Sequence, residues 1–185
     1  IVRVSQAYVT VLYTPGVAPA ATTGGITLNP GKIKFEGRAF PGGKAVIYEN
    51  GVPTKQIMIT EESGGFSFEF TAPGYEPHKL DYRFLFIDRE GRPAPLQTFL
   101  GEINVNEYRG QRILAPPTLS LQMTLLTKGE ALLRTGNTLP GSEVEAVING
   151  NAVGSVRSGE GGRYAIAINT VSRNLSIGAH TVSVR

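Results

Sequence analysis

Few side chains in this 185-residue chain could do chemistry. The chain has no cysteine, and its only histidines are His78 and His180, so thiol catalysis, thiolate metal sites and disulfides are excluded. No Gly-x-Ser-x-Gly turn and no His-Glu-x-x-His motif is present, so neither a hydrolase nucleophile nor a zinc-protease site is indicated. Glu61 and Glu62 are adjacent, and on a strand they would point to opposite faces rather than form an acid–base pair. The sequence therefore predicts a protein that is not an enzyme, with no catalytic residue, cofactor or metal.

The charged residues argue against a nucleic-acid partner. Eighteen lysines and arginines against fifteen acidic residues give a net charge of +3, and the basic residues are scattered, whereas phosphate binding needs a basic stripe. No stretch approaches the ~18 apolar residues of a membrane span. Because no basic and apolar leader precedes Ile1, we expect that any signal peptide has been removed or left out and that this is a mature extracellular chain.

Two tyrosines are candidates for ligand contact. Tyr75 lies in the Pro- and Gly-rich segment APGYEP, and Tyr108 lies near the expected join between two domains. Both are predicted to be exposed, and exposed aromatic rings can stack on sugars. They support a carbohydrate-binding surface module as one alternative function.

Short strands separated by turns are expected throughout the chain. Its 23 glycines and 12 prolines recur between short runs of Val, Ile, Tyr, Phe and Thr, a distribution typical of an all-β protein.

The strongest pattern is an internal repeat. The segment FEGRAFPGGKAVIYENG (35–51) matches RTGNTLPGSEVEAVING (134–150), and both end in an Asn-Gly pair that favours a tight hairpin turn. Further along, GGFSFEF (64–70) matches GRYAIAI (162–168). The two halves are therefore predicted to be copies of one β-domain.

The last strands of the two copies are aligned by the same spacing. YRFLFI (82–87) is set against HTVSVR (180–185) because each begins eighteen residues after a matched glycine. This alignment places Tyr82, Phe84 and Phe86 opposite His180, Val182 and Val184.

Each copy should close as a two-sheet sandwich of Ig-like type. The predicted fold is all-β, with two tandem Ig-like β-sandwich domains plus an extra N-terminal β-strand. We expect an N-terminal strand and flexible linker over residues 1–25, domain 1 over 26–110 and domain 2 over 111–185. Glu107–Pro117 (EYRGQRILAPP) is interpreted as a linker between the domains, stiffened by Pro116 and Pro117.

Several of these segments resemble a known family. GRAFPGGKAVIYENG, ESGGFSFEF and YRFLFIDREGRP look like bacterial Ig-like repeats, and ILAPPTLSLQMTLLTKGEALLRTGNTLPGSEVEAVING is similar to paired domains in predicted surface proteins of uncultured bacteria. The resemblance covers residues from about 26 to 185, and it implies the Ig-like fold and a cell-surface location without catalytic residues. The chain departs from the family pattern at 61–63 and 158–160, where an Asp is usual, which argues against carrying over a structural calcium site.

The second copy lacks a counterpart of the end of the first copy. After Ile87 the first copy continues with DREGRPAPLQTFLGEINVN (88–106), which predicts a turn and a closing strand. The second copy stops at Arg185, in the place of Ile87. We therefore expect domain 2 to lack its final strand and to present an open edge along His180, Val182 and Val184.

An N-terminal segment without a counterpart in the repeat fits this open edge. IVRVSQAYVTVLY (1–13) alternates as a strand, and TPGVAPAATTGG (14–25) is an unpatterned tether. We hypothesise that this strand of one subunit completes domain 2 of the next, which builds a head-to-tail filament. The candidate donor residues are Ala7, Tyr8, Val9, Thr10, Val11, Leu12 and Tyr13.

The predicted function is therefore a structural subunit of an extracellular, pilus-like filament whose partner is another copy of itself. Pairing within one chain is less favoured because the open edge lies in the second domain, whereas a linker of about twelve residues reaches at most ~40 Å. The alternatives are a multi-domain stalk or adhesin, of which this sequence is a fragment, and a carbohydrate-binding module. Other surface proteins or glycans are then the partners.

Overall fold

The computed structural model of the chain describes residues 27–60, 62–120, 127, 130–169 and 175–185. These residues form twelve β-strands and, within the described ranges, no helix, so the all-β prediction is confirmed. The N-terminal strand and linker predicted for residues 1–25 lie outside the described residues. The strands are β1 (Lys32–Arg38), β2 (Lys44–Glu49), β3 (Val52–Met58), β4 (Gly65–Thr71), β5 (His78–Ile87), β6 (Gln97–Ile103), β7 (Tyr108–Leu114), β8 (Ala131–Asn137), β9 (Glu143–Ile148), β10 (Asn151–Arg157), β11 (Arg163–Asn169) and β12 (Val182–Val184).

Strands β1 to β7 form unit 1, which consists of two sheets over one core. One sheet has the order β4-β1-β7, and the other has the order β3-β2-β5-β6. Alternate residues of each strand face the opposite sheet, and in this unit many of them are aromatic. The ring of Phe35 on β1 lies 5.0 Å from that of Phe84 on β5, and Phe66 on β4 lies 5.4 Å from Phe86. These contacts hold the two sheets together as a sandwich.

Strands β8 to β12 form unit 2, which repeats this plan with fewer strands among the described residues. Its sheets have the orders β11-β8 and β10-β9-β12. Its core is mostly aliphatic and has its own cluster of buried side chains. The β-sandwich prediction thus agrees with both units, while the Ig-like classification stays a prediction.

The strand pairing of the two units confirms the internal repeat. Gly37 pairs with Phe66 in unit 1, and Gly136 pairs with Tyr164 at the equivalent place in unit 2. In unit 1 the register between β2 and β3 shifts after Ile47, and in unit 2 the register between β10 and β9 shifts before Gly154. The two shifts fall at equivalent pairs, so both hairpins carry the same β-bulge. A shared irregularity of this kind shows that the two units follow one backbone plan.

Both Asn-Gly pairs form the tight turns that the sequence predicted. Asn50 and Gly51 have φ angles of 50° and 79°, and Asn149 and Gly150 have φ angles of 49° and 83°. Positive φ at both central residues matches the right-handed twist of a two-residue hairpin.

The predicted alignment of the last strand is wrong by two residues. Tyr82 pairs with Glu49 in unit 1, and Val182 pairs with Ile148 in unit 2. Glu49 and Ile148 are equivalent because both immediately precede the Asn-Gly turn. Val182, rather than the expected His180, therefore takes the place of Tyr82.

An insertion in the connection before β12 explains this shift. Sixteen residues separate Phe66 from Tyr82, whereas eighteen separate the equivalent residues Tyr164 and Val182. Constant spacing along the sequence does not reveal extra residues in a loop. By the same pairing, Arg185 lies in the place of Leu85 rather than of Ile87.

The interpretation of Glu107–Pro117 as a linker is wrong for most of its length. Tyr108–Leu114 is strand β7, which pairs in parallel with β1, and the domain boundary predicted at residues 110 and 111 falls inside this strand. The segment is polar and contains a glycine, so its own pattern is a weak strand signal. Pairing with the free edge of β1 is what makes it a strand.

Candidate functional site

Strand β12 has one hydrogen-bonded edge and one outer edge. Its inner edge bonds to β9 and to Asn149, the residue that follows β9: Asn149 N donates to Thr181 O at 3.0 Å, and Arg185 N donates to Glu145 O at 3.0 Å. Because bonding residues alternate in an antiparallel pair, Ser183 also faces β9, whereas Val182 and Val184 turn their N–H and C=O groups the other way. In unit 1 the equivalent edge of β5 is covered by β6, whereas no strand among the described residues covers it in unit 2.

Two of the three residues of the predicted acceptor edge lie on β12, and the third lies before it. Val182 and Val184 lie on β12, and their side chains belong to the core of unit 2. His180 lies in the connection before β12, where its Nδ1 is 2.8 Å from Asn149 Nδ2 and its Nε2 is 2.8 Å from Ser176 O. The structure thus places two of the three residues on one strand, while His180 helps to hold the start of that strand.

Asn149 is a residue of this edge whose second role the sequence did not show. Besides forming the turn, its Oδ1 accepts a hydrogen bond from Thr181 N at 3.0 Å, and its Nδ2 contacts His180. The Asn149 amide therefore ties the β9–β10 turn to the beginning of β12.

Replacing Asn149 with alanine is expected to loosen β12, and Asn50→Ala is the matched control. Both changes force alanine to a positive φ, which costs about 1–2 kcal/mol. Only Asn149→Ala also removes the bonds to Thr181 and His180, worth about 0.5–1.5 kcal/mol each. Amide hydrogen exchange should show faster exchange at Thr181 in Asn149→Ala. Unchanged exchange at Thr181 would contradict this role.

The candidate donor strand, residues 7–13, lies outside the described residues. Its contact with the edge of β12 therefore stays a prediction.

A buried carboxylate joins the two units. Asp88 follows β5, and its side chain is fully buried. Within unit 1 its Oδ1 accepts from Glu90 N at 3.0 Å and Arg92 N at 2.9 Å, and its Oδ2 accepts from Arg92 Nε at 2.7 Å. From the unit 2 side of the join, Oδ2 also accepts from Thr118 Oγ1 at 2.7 Å and Asn137 Nδ2 at 3.1 Å.

Asp88 and its partners in the two units form a joint, and a second acidic residue adds ion pairs to it. Glu90 forms an ion pair with Arg163 of unit 2, and Arg92 Nη2 lies 2.8 Å from the other Glu90 oxygen. Close by, the Tyr164 hydroxyl donates to Thr118 O at 2.5 Å. Because bonds to ionised groups are the stronger hydrogen bonds, this network favours one fixed arrangement of the two units.

The hydrogen bonds of the joint stabilise the ionised acids. Burial by itself would raise the pKa of Asp88, but the bonds from Thr118, Asn137 and Arg92 outweigh it and hold the pKa below the ordinary value. Burial alone would also raise the pKa of Glu90. The bond from Arg163 is the largest of the effects that lower this pKa, and the net result is a pKa below the ordinary value.

The joint is therefore expected to weaken in acid. A carboxyl group with a lowered folded-state pKa contributes its full stability above its unfolded pKa of about 4, and that stability is lost as pH falls through the lower folded pKa. The protection factors of the Thr118 and Asn137 amides, which are corrected for the intrinsic pH dependence of amide exchange, should fall below about pH 4, and Asp88→Asn should flatten this pH profile. A profile that stays steep in Asp88→Asn would assign the transition to other acids.

The two candidate ligand tyrosines lie at one end of unit 1. Tyr75 is 58% exposed and Tyr108 is 48% exposed. Tyr108 begins β7 and pairs with Lys32, which pairs in turn with Thr71 at the end of β4, shortly before Tyr75. Our placement of Tyr108 near the join is wrong, because the join follows the other end of β7, ~20 Å away at 3.3 Å per residue.

Other kinds of site are not found in the part of the chain that the structure describes. There, no group of three or more His, Asp or Glu side chains could hold a metal ion. Among the same residues, no helix has the length and apolar character needed to cross a membrane.

The joint residues were missed by sequence reasoning. Residues 88–91 were identified as a turn, and this was their only local signal. Their partners Thr118, Asn137 and Arg163 are separated from them by 30 to 73 positions.

The chain matches no protein-family model and no curated protein.

Proposed function

We propose that this chain is a structural subunit of an extracellular filament, in which residues 7–13 of one copy pair with the outer edge of β12 in the next copy. The observation that carries the proposal is the edge itself. Val182 and Val184 direct backbone N–H and C=O groups where unit 1 has β6, and no described strand bonds to them. Unpaired strand edges are the sites at which another chain adds a strand.

The covered edge of unit 1 indicates what a donor strand would supply. Strand β6 pairs with β5 over seven residues, the same number as in 7–13. It also packs Phe99 against the core, 5.2 Å from the ring of Phe35, and buries Ile103 completely. A donor with Val9 and Val11 on one face has the alternation for the equivalent place in unit 2.

Deleting residues 1–13 tests this proposal. The full chain should form polymers visible by electron microscopy and light scattering, and the deleted chain should remain monomeric. Adding the 1–13 peptide to the deleted chain should raise its melting temperature, whereas a peptide with Val9→Asp and Val11→Asp should not. A monomeric full chain with a stable unit 2 would contradict donor-strand assembly.

The second candidate function is a segment of a multi-domain surface stalk, and the buried joint favours it. Asp88 and Glu90 fix the two units against each other without any contact between copies. A stalk needs such fixed joints between successive domains in one chain.

One extended chain separates the two candidates. Appending a copy of residues 86–103 after Arg185 offers unit 2 a β6-like strand within its own chain, in the register found here. If copies assemble through β12, this extension should abolish the polymers. If the chain is a stalk segment, both the original and the extended chain should be monomeric, and only the stability of unit 2 should rise.

Glycan binding is a separate proposal that rests on Tyr75 and Tyr108. Their exposure at one end of unit 1 favours a shared contact surface. Selective binding on a glycan array that is lost in both Tyr75→Ala and Tyr108→Ala would support it. Equal binding by the two variants and the original chain would exclude it.

A further inference from the structure

The two units meet through the same end of the repeated fold. Unit 2 contributes Asn137 at the end of β8 and Arg163 at the start of β11, and these residues pair with each other. Their equivalents in unit 1 are the paired residues Arg38 and Gly65. Unit 1 contributes the turn 88–92, which follows β5 and carries the carboxylates of Asp88 and Glu90 beside two arginines. The outer face of unit 2 thus receives the two carboxylates of this turn.

A surface depression occurs at this position in both units. In unit 2 it measures about 550 Å³, and Glu90 and Arg92 of unit 1 form part of its wall. In unit 1 it measures about 440 Å³, and its lining includes no residue of unit 2 among those described. The floors are equivalent pair by pair: Gly37–Phe66 and Glu36–Ser67 in unit 1, and Gly136–Tyr164 and Thr135–Ala165 in unit 2.

The depression of unit 1 is bordered by two arginines. Arg38 Nε donates to Ser63 O at 2.8 Å, and no bond is described for its two terminal nitrogens. Arg112 is exposed, and no ion pair of its side chain occurs among the described residues. The one acid of the lining, Glu36, forms an ion pair with Lys34 at 2.9 Å. The depression therefore has positive charge available for an anionic group.

We propose that the depression bordered by Arg38 and Arg112 binds the carboxylates of a turn of the type Asp-x-Glu-Gly from another unit of the same fold. The equivalent face of unit 2 binds Asp88 and Glu90 through Asn137 and Arg163, and the two arginines supply stronger, charge-assisted donors for the same carboxylates. The chain's own turn is engaged by unit 2, so the bound turn belongs to a further unit. This contact uses the β4-β1-β7 sheet, and it does not depend on the edge of β12.

A peptide titration tests the proposal with the full chain. The probe is a cyclised peptide of residues 86–94 (FIDREGRPA), added to isotope-labelled protein and followed by NMR. We expect saturable shifts of the amides of Gly37, Gly65 and Arg112. Arg38→Ala and Arg112→Ala should each weaken binding about tenfold or more, the usual effect of losing a charge-assisted hydrogen bond.

Matched controls define what would overturn the proposal. Arg157 also donates its Nε to a backbone carbonyl, at 2.9 Å from Gly141 O, so Arg157→Ala should leave the affinity unchanged. A peptide with Asp88→Asn and Glu90→Gln should not bind. Equal binding by this peptide without carboxylates, or by the Arg38→Ala/Arg112→Ala double variant, would overturn the assignment. Competition by equimolar inorganic phosphate would show a general anion site and would equally overturn it.

Discussion

Replacing Asp88 with alanine is expected to uncouple the two units and to lower the free energy of unfolding by about 3–5 kcal/mol, the usual cost of breaking a buried, paired charge. The substitution removes the acceptor of five hydrogen bonds. It leaves the Thr118 hydroxyl and the Asn137 amide in a buried place without this acceptor, and such unsatisfied groups are costly.

The readouts separate a loosened joint from general unfolding. Amide exchange should accelerate most at Thr118 and Asn137, and small-angle scattering should show a broader range of dimensions. Glu69→Ala is a suitable control. The Glu69 side chain is 47% exposed, and its ion pair with Lys32 Nζ, at 3.7 Å, is a surface pair worth about 0–1 kcal/mol. If Asp88→Ala changes stability no more than Glu69→Ala does, the joint does not hold the units together.

Replacing Phe35 with alanine is expected to cost about 3–5 kcal/mol, the range for truncating a fully buried aromatic ring. Phe35 has 0% exposure and lies at the centre of the unit 1 core. Its ring centroid lies 5.2 Å from Tyr82, 5.0 Å from Phe84 and 5.2 Å from Phe99. The change would therefore leave a cavity between the two sheets, at the point where β1, β5 and β6 meet.

A control and a location test accompany this prediction. Tyr75→Ala removes an aromatic ring that is 58% exposed, and its effect should stay within about 0.5 kcal/mol. Denaturant unfolding gives the free energies, and amide exchange should place the loss in unit 1 rather than in β9 or β11. A loss below about 1 kcal/mol for Phe35→Ala would show that the core repacks around the missing ring.

The equivalent position of unit 2 shows that the two cores are built differently. Arg134 occupies the place of Phe35, and it is partly buried rather than fully buried. The described core of unit 2 is instead formed mainly by Val, Ile, Leu and Ala side chains of β8, β9, β11 and β12. The repeat thus conserves turns and strand pairing more closely than it conserves core side chains.

Local patterns predicted most of the strands correctly. Each Asn-Gly turn needs only two residues with positive φ, and the strand before each turn, β2 or β9, carries buried apolar residues at alternate positions. Because these signals act over a few neighbouring positions, they can be recognised without knowing the fold. Strand β7 was missed because Tyr108–Leu114 has little alternation of its own, and its partner β1 lies more than 70 positions earlier.

The sequence by itself determined the all-β class, the repeat and its hairpin turns, because these depend on residue type and short spacing. Only the tertiary structure decided the register of β12, where two extra loop residues shift the pairing without changing the strand pattern. It alone also assembled the joint, since Asp88 meets Asn137 from 49 positions away. Hydrogen bonds between distant segments depend on how the strands pack, and local composition does not encode that packing.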